Sequence, residues 1–240
     1  MHISPTLERA KAYLDVQISR PRTPPGGVHL DTEGPFVTIS RESGVGGSEF
    51  ATDLGRRLDI ALPSEGVRWT VFDQRIVEEV LREDNLSPGL ARFLPEDRIH
   101  EITGTVGEIV GLHPNLWSLA QKTNALLRNL ARRGHTILVG RGGVFASAGI
   151  EGGVHVRLVA REDTRIRRTM ATSGLGYDEA QAFVRRTETA RAKYVRSVFG
   201  RRTDDPSDYD LVLNVETLSR DTCLALVTRA LEARALAQTV

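Results

Sequence analysis

Five short runs, each almost entirely apolar or β-branched, set the tightest limit on the fold: PFVTIS, VRWTVFD, TILVGRGG, VHVRLVA and DLVLNV, starting at Pro35, Val67, Thr136, Val154 and Asp210. A strand that is wet on one face alternates apolar and polar residues, whereas these runs read as strands covered on both faces. Helical spacing separates them. Phe50, Ala51, Leu54 and Leu58 fall on one face of a helix starting near Ser48. LWSLAQKTNALLRNLARRG is an amphipathic helix closed by Gly134, and a last helix runs from Arg220 to Ala237. Buried strands alternating with helices predict an α/β fold of three layers, a parallel sheet between helices.

In such sheets ligands sit beyond the carboxyl ends of the strands. The residues that follow the five strands are a glycine loop with Ser48, then Asp73, Gly140–Arg141, Arg161 and Asn214. Most of these groups suit phosphate, magnesium or nucleoside recognition. The glycine loop, RESGVGGS, has the outline of the phosphate-binding pattern G-x-x-x-x-G-K-S/T, but Gly47 stands where the lysine belongs. Gly44, Gly46 and Gly47 allow successive amides to turn inward around an anion, and the helix start behind them adds its dipole. Ser48 takes the position that binds Mg²⁺ in lysine-bearing loops. The same glycines would also serve an ordinary strand-to-helix turn. If the loop does bind a triphosphate, nearby arginines have to replace the absent lysine.

Composition narrows the partners. With 32 basic and 31 acidic residues the net charge is +1, which gives no global attraction to nucleic acid or anionic membrane. One cysteine, Cys223, excludes an internal disulfide and fits a reducing compartment. No apolar run is long enough to span a bilayer and no signal-peptide core is seen, so the expected location is the cytoplasm. The histidines show no metal-ligand spacing. Residues 1–34 form a separate unit: a helix with Leu7, Ala10, Tyr13, Leu14 and Ile18 at helical spacing, then the linker SRPRTPPGG. That helix is either docked on the core or a partner-binding element.

Five marks in fixed order carry a family resemblance. They are ISRESGVGGSEFA, VFDQRIV, ILVGRGG, ETARAKYVRSVFG and DYDLVLNVETLS. Over about Pro35 to Ala237 the chain resembles the cytidylate kinase-like branch of the P-loop nucleoside monophosphate kinases, whose first motif also lacks the lysine. The resemblance implies a P-loop kinase domain over 35–240. Within it, 74–134 is a helical acceptor-binding segment and 164–203 an arginine-rich lid. It further implies Mg²⁺ and ATP as partners and phosphoryl transfer to a nucleoside monophosphate such as CMP or dCMP. Ser43, Gly44, Val45, Gly46, Gly47 and Ser48 would wrap the donor phosphates. Asp73 either caps its helix or works with Ser48 near Mg²⁺ and the acceptor phosphate. Arg141, Glu188 and Arg191 would hold the acceptor.

Two departures stand out. CMP kinases follow the Gly-Arg pair with an aspartate that reads cytosine, where this chain has Gly142. An arginine is expected four residues before Glu188, where Val184 stands with Arg185 and Arg186 beside it. Of the 29 arginines, 11 lie between Arg157 and Arg202; they either solvate exposed helices or arm a lid over ATP. In the second case Arg185, Arg186 and Arg191 supply charge to the transferring phosphoryl group. The rival reading is a nucleotide-binding sensor or scaffold without turnover, or a kinase of another small phosphorylated acceptor.

Overall fold

The computed structural model describes residues 8–10, 12–14, 16, 34–64, 66–74, 114–140 and 142–237, with the backbone alone for 114–119. Five parallel strands form one sheet: β1 (Phe36–Arg41), β2 (Thr70–Phe72), β3 (Thr136–Val139), β4 (Gly153–Val159) and β5 (Leu211–Asn214). Their order across the sheet is β2-β3-β1-β4-β5. Phe36 pairs with Thr136 on one side and Gly153 on the other, so β1 is the central strand.

Besides helical residues at 8–10, 12–14 and 16 and a short 3-10 turn at Pro206–Asp208, helices flank or extend the sheet: α1 (Gly47–Ala61), α2 (Pro114–Arg133), α3 (Gly143–Ala146), α4 (Glu162–Ser173), α5 (Tyr177–Phe199) and α6 (Arg220–Ala237). Period-two alternation divides β1, β2 and β3 between two cores, while β4 and β5 contribute to one of them. Phe36 and Leu138 join Leu126, Leu127 and Leu130 of α2 on one face. Val37, Ile39, Ile137, Val139, Val154, Val156 and Leu158 face the opposite core. There they meet Phe50, Leu54 and Leu58 of α1 and Cys223, Val227 and Leu231 of α6. The three-layer expectation is therefore met, but only β1 to β3 are apolar on both faces: β4 alternates Val154, Val156 and Leu158 with His155 and Arg157, and Val212 of β5 is 45% exposed.

The helix ends follow their glycines. Gly174 and Gly200 close α4 and α5 in the left-handed conformation, at φ 72° and 66°. The second strand is shorter than VRWTVFD implies. Asp59 accepts the Trp69 amide at 2.7 Å and Arg9 donates to the Trp69 carbonyl at 3.0 Å, so this residue is anchored by side chains rather than by a neighbouring strand. Trp69 itself is buried. Near the N-terminus, Ala10, Tyr13 and Leu14 are buried in the α2-side core. The Tyr13 hydroxyl donates to the Gly134 carbonyl at 2.5 Å, and its ring meets Phe72 edge-on at 5.6 Å. No described helix is long and apolar enough to cross a membrane.

Candidate phosphate-binding site

The strand ends assemble the site. β1 stops at Arg41, and the chain turns through Glu42–Gly46 into α1. Gly44 has φ 86°, and a Cβ there would lie 2.5 Å from the Arg165 carbonyl oxygen, so α4 packs directly against the loop. Gly46, at φ 75°, is the N-cap of α1 and brings no side chain to it. Its carbonyl accepts the first helical bond, from Phe50 at 3.0 Å. The amides of Gly47, Ser48 and Glu49 precede that bond and so lie outside the helical ladder, where an anion can meet them. Ser43 is buried and Ser48 exposed.

Arginines from α4 hold the loop from behind. Arg165, only 9% exposed, donates to the Ala160 carbonyl at 3.0 Å and reaches the Ser43 carbonyl at 3.5 Å. Its guanidinium lies 3.4 Å from Glu42 and 3.7 Å from Glu188. Arg168 bridges the carbonyls of Val45 and Val215 at 3.4 and 3.1 Å. Glu42 accepts from the Ala160 amide at 3.0 Å, which ties the end of β1 to the end of β4. Glu188 on α5 accepts a bond from the Ser43 amide. Helix α5, the glycine loop and the strand ends are thus joined through charged groups that are largely out of water.

Beside the loop lies a cavity of about 480 Å³. Arg41, Arg157, Arg186 and Arg191 line it, and Glu188 is the one acid among its described lining residues. Phe145, Tyr194 and Tyr209 contribute aromatic surface, with the Arg157 guanidinium 5.7 Å from the Tyr209 ring centre. Burial pushes the Arg191 guanidinium below its ordinary pKa, and Glu188, 3.8 Å away, opposes that shift. Arg191, partly withdrawn from water, gains from a bound anion. Arg191 also donates to the Arg41 carbonyl at 3.2 Å. A Cβ on Gly142 would lie 2.3 Å from the Phe199 ring, so Phe199 fills the space that an aspartate at this position would need.

The residues expected from sequence divide into three groups. Glu188, Arg191 and Arg186 meet at the cavity, next to a loop formed by Ser43–Ser48. Arg185 is 64% exposed and pairs with Glu162 of α4 at 2.8 Å; Val184 is buried between α4 and α5 with Ile166 and Ala180. Arg161 and Asn214 turn to the chain itself: Arg161 donates to Glu216, whose carboxyl it holds at about 2, and Asn214 accepts the Glu216 amide at 3.0 Å. Arg141 and residues 75–113, most of the expected acceptor-binding segment, lie outside the described residues. Arg41, Glu42, Arg157, Arg165 and Arg168 were not singled out from sequence. The signal for Arg41 is its place at the end of β1, and for Arg165 and Arg168 a three-residue spacing on one helix face.

Ser48 at the head of α1 and Asp73 at the end of β2 offer hard oxygen ligands. No group of three or more His, Cys, Asp or Glu placed to hold a metal occurs among the described residues. Mg²⁺ typically takes one or two protein oxygens and completes its shell with water and substrate phosphate, so a sparse set is appropriate.

The chain is similar to proteins of solved structure and matches one protein family. A solved structure of an uncharacterized protein from Eubacterium ventriosum ATCC 27560 aligns with a TM-score of 0.63 at 17% identity, over 83% of this chain and 99% of that one. A shikimate kinase from Bacteroides thetaiotaomicron aligns with a TM-score of 0.44 at 15% identity, over 82% and 98%. No curated protein matches the sequence. The family described as "Cytidylate kinase-like family" matches residues 36–217, well over half the chain. With a parallel sheet, a glycine loop at the end of its central strand and arginines gathered beside it, the chain belongs to the cytidylate kinase-like family and has the fold of a P-loop kinase.

Proposed function

We propose that this protein transfers the γ-phosphoryl group of ATP to the phosphate of a nucleoside monophosphate, with CMP and dCMP as the first candidates. One observation carries the reading: four arginines converge on a single cavity beside the glycine loop, with Glu188 as the one acid among its described lining residues. That excess of positive charge suits two polyanions held close together. In this reading the loop from Ser43 to Ser48 wraps the donor phosphates. Asp73, Arg141, Glu188 and Arg191 serve the acceptor, and Arg186, with Arg185 beside it, supplies lid charge. Mg²⁺ held by Ser48 and Asp73 would neutralise charge on the donor phosphates. An acceptor phosphate oxygen forms a bond to the γ-phosphorus while the bond from that phosphorus to the bridging oxygen breaks, releasing ADP. The acceptor oxygen is already anionic, so no strong general base is required. The protein's work is alignment and charge stabilisation.

The test is ADP release measured across the nucleoside monophosphates with MgATP present. CMP or dCMP should stimulate release most. Failure of every nucleoside monophosphate to do so would sink the reading. A second reading, a nucleotide sensor without turnover, draws on Glu188, whose carboxylate already holds the Ser43 amide at the loop. A protein that binds MgATP yet phosphorylates no nucleoside monophosphate would favour it.

A further inference from the structure

The pattern G-x-x-x-x-G-K-S, laid on Arg41–Ser48, departs from this chain at two positions. Arg41 stands at the first glycine and Gly47 at the lysine. The two departures meet in space. A Cβ on Gly47 would lie 2.9 Å from Cδ of Arg41, 3.0 Å from Cγ and 3.3 Å from Nε. A Cβ on Gly140 would lie 2.0 Å from Arg41 Nη1. The Arg41 side chain therefore runs through a slot that exists because both flanking residues are glycine. Its stem covers the first residue of α1, and its guanidinium reaches the cavity wall. Gly140 has φ 79°, a conformation that itself favours glycine. Arg191 fixes the start of this path by donating to the Arg41 carbonyl at 3.2 Å.

We infer that Arg41 is the phosphate-binding cation of the loop: the lysine has been exchanged for an arginine that enters from the first-glycine position across Gly47. This rests on the nucleotide reading above and goes beyond it by naming the residue and the reason for Gly47. An arginine from the end of β1 reaches the same helix start that a lysine on α1 would serve, and its fork can hold two phosphate oxygens at once. A lysine and this arginine cannot share the slot. Glycine at 47 is the condition for the exchange.

Calorimetry with MgATP and with AMP tests this on the full chain, alongside thermal unfolding of each variant. Arg41→Gly should weaken MgATP at least about tenfold and change AMP, which lacks β- and γ-phosphates, less than about threefold. Gly47→Lys alone should also bind poorly, because two long side chains compete for one slot. The double variant Arg41→Gly with Gly47→Lys restores the lysine pattern and should recover most of the MgATP affinity lost in Arg41→Gly. Unchanged MgATP affinity in folded Arg41→Gly would overturn the inference and leave the kinase reading intact. So would equal loss for AMP and MgATP, which marks a structural role, or a folded double variant no tighter than Arg41→Gly. Wild-type protein that fails to bind MgATP would instead overturn the nucleotide reading and this inference with it.

Discussion

Arg165 shows how much of this site is decided by single side chains. It is buried, lies between Glu42 and Glu188 at 3.4 and 3.7 Å, and holds the glycine loop through the Ser43 carbonyl. Its replacement by methionine keeps volume but leaves two shielded carboxylates facing each other. The expected cost is about 1–3 kcal/mol of stability by denaturant unfolding, because each carboxylate loses its nearer cation while Arg157 stays 4.0 Å from Glu42 and Arg191 3.8 Å from Glu188. Glu42→Gln added to Arg165→Met should recover part of that loss, and strict additivity in this cycle would rule out the coupling. Gly142 gives a second case. An alanine there would be strained at φ 70° and would enter the Phe199 ring, so Gly142→Ala should lose about 2–3 kcal/mol in the same measurement. Neither residue's role was legible in the sequence. With 29 arginines against three lysines, an arginine at any one position carries little signal, and only tertiary packing decides which of them turn inward. Glu188 and Arg191 were legible because a spaced acid-and-arginine pair resembles a known signature. Arg41 sat within the first family mark but gave no sign that its side chain crosses Gly47.

At the scale of elements, α4 and α5 form a hairpin with its own small core: Ile166, Ala180 and Val184, with Met170 and Leu175 against them. Val184 is 1% exposed, which explains why an arginine is not tolerated four residues before Glu188. Val184→Arg should open the hairpin locally. Amide exchange should speed up across 162–199 while the amides of β1 and β3 stay protected, and uniform exchange across the chain would contradict an independent hairpin core. The two arginines that follow have separate surroundings. Arg186 lines the cavity, whereas Arg185 ties α5 to Glu162 of α4. Arg186→Ala should therefore lower kcat roughly a hundredfold, by analogy with arginine fingers, and leave nucleotide affinity within a few-fold. Arg185→Ala should act more weakly and mainly through hairpin stability. Equal effects from the two variants would refute this division. Helices α2, α4 and α5 could be read from sequence because a glycine follows each of them, at Gly134, Gly174 and Gly200. The four-residue α3 could not, since it is too short for a period to show.

The molecule as a whole was legible in its layers but not in its strand order. Runs apolar on both faces require a covered parallel sheet, yet nothing in them says that β1 pairs with β3 and β4 rather than with β2. That order is set by which helices pack together, and it brings His155 of β4 under Thr38 of β1, with Oγ1 and Nδ1 2.8 Å apart. The Phe36 ring lies 6.0 Å away; Asp210 accepts the His155 amide at 2.7 Å, and Arg234 pairs with Asp210. Burial lowers the pKa of His155 from its ordinary 6.5; Asp210 opposes the shift and Arg234 adds to it. The sign follows from proton binding. Below about pH 6.5 the unfolded chain takes up a proton that folded His155 refuses, so the unfolded state gains. Global stability should therefore fall as pH drops from 6.5 toward the lowered folded value, then level off. Glu216 and Asp204, both held at about 2 by arginine partners, act in a separate and lower window. Their stabilising contribution is present above the ordinary carboxylate values of 4.5 and 3.8 and is lost as pH falls toward 2. Denaturant unfolding from pH 8 to 5 isolates the histidine step. His155→Gln, which keeps a polar partner for Thr38 but cannot titrate, should flatten the curve over that range. A variant curve as steep as the wild type would remove His155 as its cause.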